Sequence, residues 1–147
     1  MENEALLQVE HLALKKQKIF RQSVMRYIAR AMLASMFIGF GVIVAFKTGN
    51  YFFMEQSPFA YPMAAITFGA AIILISFGGG DLFTGDTFYY TYTALRRKMK
   101  WSEVVRMWIM SYIGNILGAA VFALLIFLTG LFYSSDVNGF LLYVVAV

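Results

Sequence analysis

An apolar stretch of 37 residues, Phe59 to Leu95, constrains the fold of this chain more than any other feature. As one straight α-helix it would be about 55 Å long, whereas the hydrocarbon core of a bilayer is about 30 Å thick. Its only charged residues are Asp81 and Asp86, and three consecutive glycines, 78–80, precede them. The sequence therefore predicts a broken membrane helix, with a first half over about 59–78, a loop over 79–86 and a second half over about 87–96.

The composition indicates that most of the chain lies in a membrane. Of the 147 residues, 61% are hydrophobic and 14% are charged, whereas about 25% of the residues in a soluble domain are charged. Long uncharged runs alternate with short basic clusters, as in multi-pass membrane proteins. We predict an all-α membrane protein in which an N-terminal segment (1–26) precedes a three-span unit (27–133; spans about 28–46, 59–78 plus 87–96, and 103–133) and an extracytoplasmic tail (134–147).

The distribution of basic residues predicts the orientation of the chain. Eleven of the twelve lysines and arginines lie within residues 1–30 and 96–106, and the loop after the first span holds only Lys47. Because basic residues are retained on the cytoplasmic side, the N-terminus is expected on the cytoplasmic side of the cell membrane and the C-terminus on the outer side. Charges that flank membrane spans in this way set topology, so we do not expect nucleic acid to be a partner.

The N-terminal segment is not a signal peptide, because it lacks an early apolar core. Its residues Ala5, Val9, Leu12, Lys16 and Ile19 recur at helical spacing, which predicts a cytosolic amphipathic helix. Two roles stay open for this helix: a solvated basic arm near the lipid surface, or a contact with the membrane or a neighbouring subunit.

The sequence offers few residues for a metal or cofactor. It has no cysteine and a single histidine, which excludes disulfides, thiolate metal sites and histidine-rich metal sites. The glycine run lacks the Gly-Lys-Ser/Thr of a phosphate-binding loop and lies inside a membrane segment. No metal or cofactor is expected.

The break in the second span predicts a site for an anion. Irregular backbone persists at membrane depth only where it is buried in protein or lines a wet cavity. The start of the second half-helix offers free N–H groups and a positive dipole end, and Thr84 adds a hydroxyl. Asp81 and Asp86 would repel an anion, so two interpretations stay open: they hold the loop, with Asp86 as an N-cap and Asp81 bonded to loop amides, or they act on the solute directly.

Bulky apolar residues near the break have two interpretations as well. Phe68, Ile72 and Phe83 are either packed core or, facing a pore, constrictions that disfavour hydrated ions. A weak acid would cross such a constriction more easily when transiently protonated, because the neutral form costs less to desolvate. In the third span, Gly114 and Gly118 are four residues apart, which predicts close helix packing.

The run GDLFTGDT at 80–87, followed by Trp101, a basic linker and SYIGN at 111–115, resembles the formate/nitrite transporter family. The resemblance extends from about Arg26 onward. It implies one half of an inverted-repeat, aquaporin-like channel, in which an omega loop interrupts the second helix. It further implies a homopentamer with one pore in each six-helix protomer. The implied substrates are small monovalent anions: formate, nitrite and sometimes lactate, acetate or hydrosulfide.

The resemblance also implies roles for individual residues. Thr84 matches the omega-loop threonine, which in the family faces a histidine of the broken fifth helix; Leu82 and Phe83 match its hydrophobic neighbours, and Phe68 the outer constriction. We expect three groups of site residues: the pore pathway (Leu82, Phe83, Thr84, Phe68, Ile72), the loop-structuring residues (Gly80, Asp81, Gly85, Asp86) and the helix-packing residues (Gly114, Asn115, Gly118).

Two departures from the family pattern affect this interpretation. Asp86 stands where many members carry asparagine or serine, which leaves the preferred anion open. The chain is about half the family length and lacks the second broken helix with its histidine; His11, in the N-terminal arm, cannot replace it. We therefore expect a fragment of a longer gene product.

Two alternatives to anion transport stay open. The first is a half-length membrane subunit or fragment that does not itself transport. The second is an intramembrane aspartyl protease, because Gly78 to Asp81 fits the pattern G-x-G-D. That chemistry needs two carboxylates that share a proton, and the only other candidate, Asp86, lies in the same loop. We therefore expect a transporter and not an enzyme.

Overall fold

The computed structural model describes residues 2–132 and 139–146, and within them it contains helices and no strands. The predicted all-α class is therefore confirmed for these residues. Three of the helices, α2, α3 and α5, are long and apolar enough to cross a membrane. In chain order the helices are α1 (Glu2–Gln22), α2 (Val24–Met54), α3 (Ala60–Gly78), α4 (Phe83–Leu95), α5 (Trp101–Thr129) and α6 (Gly139–Ala146).

The chain divides into two compact units, and α2 and α5 each contribute to both. The first unit comprises Met1–Ser35 and Gly79–Gly118. Its core is built by side chains from α1, α2, α4 and α5, together with one from the linker before α5. The buried members of this core are Ala13, Tyr27, Tyr90, Ala94, Met99, Val104 and Met107.

Helix α1 belongs to the first unit, and its packed face overlaps the predicted face only in part. Glu10, Ala13 and Gln17 are buried, Val9, Lys16 and Ile19 are half-buried, and Ala5 and Leu12 are exposed. Two of the three buried side chains are polar: Glu10 pairs with Lys98 in the segment before α5, and Gln17 donates to Glu103 of α5, so an apolar pattern could not reveal the whole face. The contact is made in part by hydrogen bonds and ion pairs, and the hydrophobic effect contributes through Ala13.

The second unit comprises Met36–Gly78 and Ala119–Val147. Within it, α2 and α3 approach closely, since a Cβ placed on Gly41 would lie 2.4 Å from the Cβ of Ala71. Phe140 of α6 is buried against other aromatic rings of the unit, including those of Phe46 and Tyr61.

Helix α2 is longer than the predicted first span of 28–46, and the predicted loop over 47–58 is wrong for most of its length. Thr48, Gly49 and Asn50 are residues typical of a turn, but here they are helical. Gly49 lies against the ring of Phe140, and the Asn50 side chain accepts a hydrogen bond of 2.9 Å from the Phe140 N–H. These polar and small residues therefore serve a contact with α6, and the chain turns only after Met54.

The second span is interrupted, and its second half begins earlier than predicted. Helix α3 ends at Gly78, and Gly79 has a φ of +70°, a conformation that glycine adopts at little cost. Helix α4 begins at Phe83, so the break covers 79–82. Asp86 is not an N-cap: its N–H donates to the Leu82 carbonyl, and Leu82 occupies the cap position without a side-chain cap hydrogen bond.

The boundaries of α5 differ from those predicted as well. The helix begins at Trp101, two residues before the predicted start at 103, and the Lys100 carbonyl accepts the N–H groups of Glu103 and Val104. The helix ends at Thr129, followed by Gly130 with a φ of +69°. The predicted end at 133 and the first part of the predicted tail lie outside the described residues.

Candidate functional site

A side chain from α5 holds the backbone of the break. The Phe83 N–H, which has no partner within α4, donates to Asn115 Oδ1 at 2.9 Å. Asn115 Nδ2 donates in turn to the carbonyls of Ala31 at 2.8 Å and Asp81 at 3.0 Å. One amide thereby satisfies three backbone groups, so α4 can begin at Phe83 without a local cap. Asn115 was expected only among the helix-packing residues.

Asp81 is wholly buried and is bound by two cations. Arg30 Nε donates to its Oδ2 at 2.6 Å, and Arg30 Nη2 donates to its Oδ1 at 3.3 Å. Lys16 Nζ lies 3.0 Å from the same Oδ1. The Asp81 N–H also donates to the Arg30 carbonyl at 3.2 Å. The expectation that the Asp81 carboxylate bonds loop amides is therefore wrong, because its partners are the charged groups of α1 and α2.

Asp86 is also wholly buried and is held by both of its oxygens. Lys16 Nζ donates to Oδ1 at 2.5 Å. Oδ2 accepts hydrogen bonds from the Tyr27 hydroxyl at 2.9 Å and the Ser111 hydroxyl at 2.8 Å. Because the Tyr27 proton is directed to Asp86, the Tyr90 hydroxyl, 3.0 Å away, donates to the Tyr27 oxygen. The carboxylate therefore faces inward and is saturated by protein donors.

These four charged residues form what we call the loop charge cluster: Lys16, Arg30, Asp81 and Asp86. Two cations and two carboxylates leave it without net charge. Burial disfavours the charged amine of Lys16, but the carboxylates of Asp86 and Asp81 outweigh that cost and raise its pKa above the ordinary value. Lys16 therefore stays protonated at neutral pH, and the aspartates beside the break are neutralised locally.

Further polar contacts hold α1 in the position that places Lys16 beside Asp81 and Asp86. Glu103 accepts hydrogen bonds from Gln17 at 2.8 Å and from Arg21 at 2.6 and 2.7 Å. Glu10 is paired with Lys98, on the segment that leads into α5. These contacts hold α1 against α5 and the segment that leads into it.

The predicted pathway residues of the loop lie together at the start of α4. Thr84 is exposed in the first turn, and its hydroxyl makes no hydrogen bond within residues 2–132 and 139–146. Leu82 and Phe83 are half-buried, and the Phe83 ring meets the ring of Tyr112 edge-on at 5.3 Å. The free hydroxyl of Thr84 is thus available to a ligand.

The other two predicted pathway residues, Phe68 and Ile72, lie on α3 in the second unit. Phe68 lines an apolar groove of about 340 Å³ together with residues of α2 and α6. Ile72 is 52% exposed. Their assignment to a constriction stays a prediction.

Three of the glycines selected from the sequence lie against α2. A Cβ placed on Gly80, Gly114 or Gly118 would come within 2.9, 2.6 and 2.2 Å, respectively, of an atom of α2. Real Cβ atoms do not make such contacts, so these positions require close backbone approach. Gly85 differs, because its nearest neighbour would be the Tyr89 ring at 3.6 Å, an ordinary contact.

The partners of the two aspartates were not predicted from the sequence. The guanidinium of Arg30, near the start of the first predicted span, is turned towards Asp81. Lys16 was noted only for its helical spacing, and Tyr27 was not noted at all. Two aspartates in a membrane segment should have prompted a search for two cations, and Arg30 is the only basic residue in the first predicted span, 28–46.

The same contacts bear on the protease alternative. Lys16 Nζ lies within 3.0 Å of an oxygen of both Asp81 and Asp86. Each carboxylate is paired with the same ammonium group, whereas aspartyl proteolysis needs two carboxylates that share one proton.

Comparison with known proteins gives a consistent result. The family model described as formate/nitrite transporter matches residues 3–146. The chain belongs to the formate/nitrite transporter family. Its relatives include the transporter YwcJ of Bacillus subtilis, which is 59% identical over 143 residues, a match that covers 97% of this chain and 56% of YwcJ.

Two more distant relatives are named for their substrates. The formate-nitrite transporter of Plasmodium vivax is 33% identical over 76% of this chain and 38% of its own length. The nitrite transporter NirC of Escherichia coli is 29% identical over 67% of this chain and 35% of its own length. The chain thus spans about half the length, or less, of these curated relatives.

Family membership and the three apolar helices together indicate a multi-pass membrane protein. The names of the family and of its members indicate a transporter and not an enzyme. The motif GDLFTGDT (80–87), on which the resemblance to the family rests, contains both aspartates of the loop charge cluster and most of the break at 79–82.

Proposed function

We propose that the protein, in its native length, carries small monovalent anions such as formate or nitrite across the cell membrane. The observation that supports this most directly is the start of α4: the second span is interrupted at 79–82, and Thr84 presents a free hydroxyl in the turn that follows. The substrates named for the family and for NirC are of this chemical class.

The loop charge cluster removes the main objection to an anion at this position. Two uncompensated aspartates beside the break would repel an anion and cancel the positive end of the α4 dipole. Both carboxylates are instead wholly buried and bound by Lys16 and Arg30. The free N–H groups in the first turn of α4 and the Thr84 hydroxyl are then left to attract the anion.

Apolar side chains limit the passage in this proposal. Leu82 and Phe83 flank Thr84 in the sequence, and Phe68 and Ile72 are proposed to form the outer constriction. A hydrated ion loses water at such a constriction at high cost. A weak acid that is transiently protonated loses far less, because its neutral form is cheaper to desolvate.

The proposal extends to orientation and assembly. The N-terminus is cytoplasmic, since residues 1–30 hold six basic residues and the loop after α2 holds none. The three-span unit (27–133) is one half of an inverted-repeat, aquaporin-like protomer, and five protomers form the assembly.

The orientation can be tested with a single cysteine placed at Gln8. It should react with a membrane-impermeant thiol reagent only after the cell is permeabilised, and reaction in intact cells would show that the N-terminus is outside.

Anion flux tests the proposal. The protein in its native length is reconstituted in liposomes, and the efflux of formate and nitrite is compared with efflux from protein-free liposomes and with the efflux of glucose. We expect formate and nitrite efflux well above the protein-free rate and no increase for glucose. Formate and nitrite efflux equal to that of protein-free liposomes would contradict the proposal.

A further inference from the structure

Arg30 has more hydrogen-bond donors than its ion pair uses. A guanidinium carries five N–H groups in a planar fork. Asp81 takes the edge formed by Nε and Nη2, at 2.6 and 3.3 Å. The other N–H of Nη2 and both N–H groups of Nη1 are left, and they form the free end of the fork.

The free end of Arg30 is accessible. Within the described residues, Trp108 Nε1 is the only buried side-chain nitrogen or oxygen without a hydrogen-bond partner. Arg30 Nη1 makes no hydrogen bond there and is not among those buried atoms, so it is not buried by the described residues. The Arg30 side chain as a whole is 30% exposed.

A glycine leaves this end uncovered. A Cβ placed on Gly79 would lie 3.4 Å from Arg30 Nη1, 3.7 Å from Nη2 and 3.9 Å from Cζ. This order of distances shows that Gly79 faces the Nη1–Nη2 end of the fork and not the edge that binds Asp81. Any side chain at position 79 would begin against the free donors, whereas glycine leaves the space beside them empty.

The unused donors of Arg30 can attract an anion, although the loop charge cluster as a whole has no net charge. Asp81 shares its negative charge between Arg30 and Lys16, whose Nζ lies 3.0 Å away. An arginine in a membrane span is costly and is retained mainly for function. Because its planar fork matches a pair of oxygens on one atom, the matching ligand is a small planar anion with two such oxygens.

We propose that the free end of Arg30 binds the two oxygens of a planar monovalent anion of the formate or nitrite class, beside Gly79. This inference rests on the proposed function and adds to it a binding residue contributed by α2. The competing explanation is that Arg30 only holds Asp81 in place. The two explanations can be separated by replacing Asp81, because Arg30 then has no Asp81 carboxylate to hold and any remaining effect of Arg30 on formate binding must have another cause.

The test uses two double variants with the same net charge. Asp81→Asn with Arg30→Gln, and Asp81→Asn with Lys16→Gln, each remove one carboxylate and one cation, and they differ only in which cation is left. The affinity for ¹³C-formate is measured by saturation-transfer NMR on the protein in nanodiscs, with thermal unfolding as a check on folding.

We expect the variant without Arg30 to bind formate about tenfold or more weakly than the variant without Lys16, because charge-assisted hydrogen bonds are lost. Equal affinities would overturn the inference. If the Lys16 variant does not fold, Arg30→Lys replaces it in the Asp81→Asn background. Since lysine keeps the charge but not the fork, it should bind formate several-fold more weakly than the parent Asp81→Asn protein, and equal binding would again overturn the inference.

Failure of the Arg30 site and failure of anion transport give different results. Weaker formate binding in the variant without Arg30, combined with no formate flux through the wild-type protein, would contradict transport and leave the Arg30 site supported. Wild-type flux with equal formate affinity in the two double variants would support transport and eliminate the Arg30 site.

Discussion

Asn115 shows how a single side chain can replace a helix cap in a membrane protein. A helix start leaves backbone N–H groups without partners, and no water is available in hydrocarbon to satisfy them. Asn115 supplies the acceptor for Phe83 and donates to two carbonyls, one of them on the loop. The register between α5 and the break is therefore fixed by one amide.

Replacing Asn115 with leucine should destabilise the protein while preserving the side-chain volume. The Phe83 N–H and the Asp81 carbonyl would lose their partner, and each unpaired buried polar group costs about 1–3 kcal/mol. We expect a clearly lower melting temperature in detergent, measured by nano-scanning fluorimetry. Ile116→Leu, at the next and half-exposed position, serves as the matched control; melting temperatures that do not differ would show that the amide does not hold the break.

At the scale of elements, α1 is joined to the membrane part by charge. Its Lys16 is nearly buried between two carboxylates, with 12% of the side chain exposed. Its Arg21, by contrast, forms an exposed pair with Glu103. Buried and exposed ion pairs respond very differently to the loss of one partner, so the two contacts of α1 should have unequal effects on stability.

Replacing Lys16 with methionine should destabilise the protein by about 3 kcal/mol or more, because Asp86 would lose the one cation that pairs with it among the described residues. Adding Asp86→Asn should recover part of the loss, since the unpaired charge is then removed. Glu103→Gln, which breaks the exposed pair, should lower the melting temperature far less. An equal loss for Lys16→Met and Glu103→Gln would contradict a buried charge cluster.

The pH dependence of this contact has a definite sign. The folded-state pKa of Lys16 is raised, so its contribution to stability is fully present below the ordinary lysine pKa and is lost only as the pH rises through the raised value. Lys16 should therefore contribute no change in stability between about pH 6 and pH 9.

At the scale of the whole molecule, the sequence predicted the features that are local in the chain. The long apolar stretches predicted the membrane-spanning helices α2, α3 and α5. The three glycines at 78–80 predicted the end of α3 at Gly78, because glycine allows a change of backbone direction at little cost. The start of α4 was misplaced by four residues, because its determinant is Asn115, 32 residues away from Phe83. Lys16 and Asp86 are 70 residues apart, and no spacing pattern along the chain pairs them.

These 147 residues contain no cysteine, so a cysteine placed among them, with any cysteine elsewhere in the native-length protein replaced by serine, tests most directly whether the break lies on the anion's route. A single cysteine replaces Thr84 in the protein of native length, and an anionic, membrane-impermeant methanethiosulfonate is applied with and without formate. Ile116→Cys, an apolar position on α5, is the control. We predict that the reagent modifies position 84 and blocks formate efflux, that formate slows the modification, and that position 116 does not react. An unreactive cysteine at position 84 in folded protein that still transports formate would contradict the account.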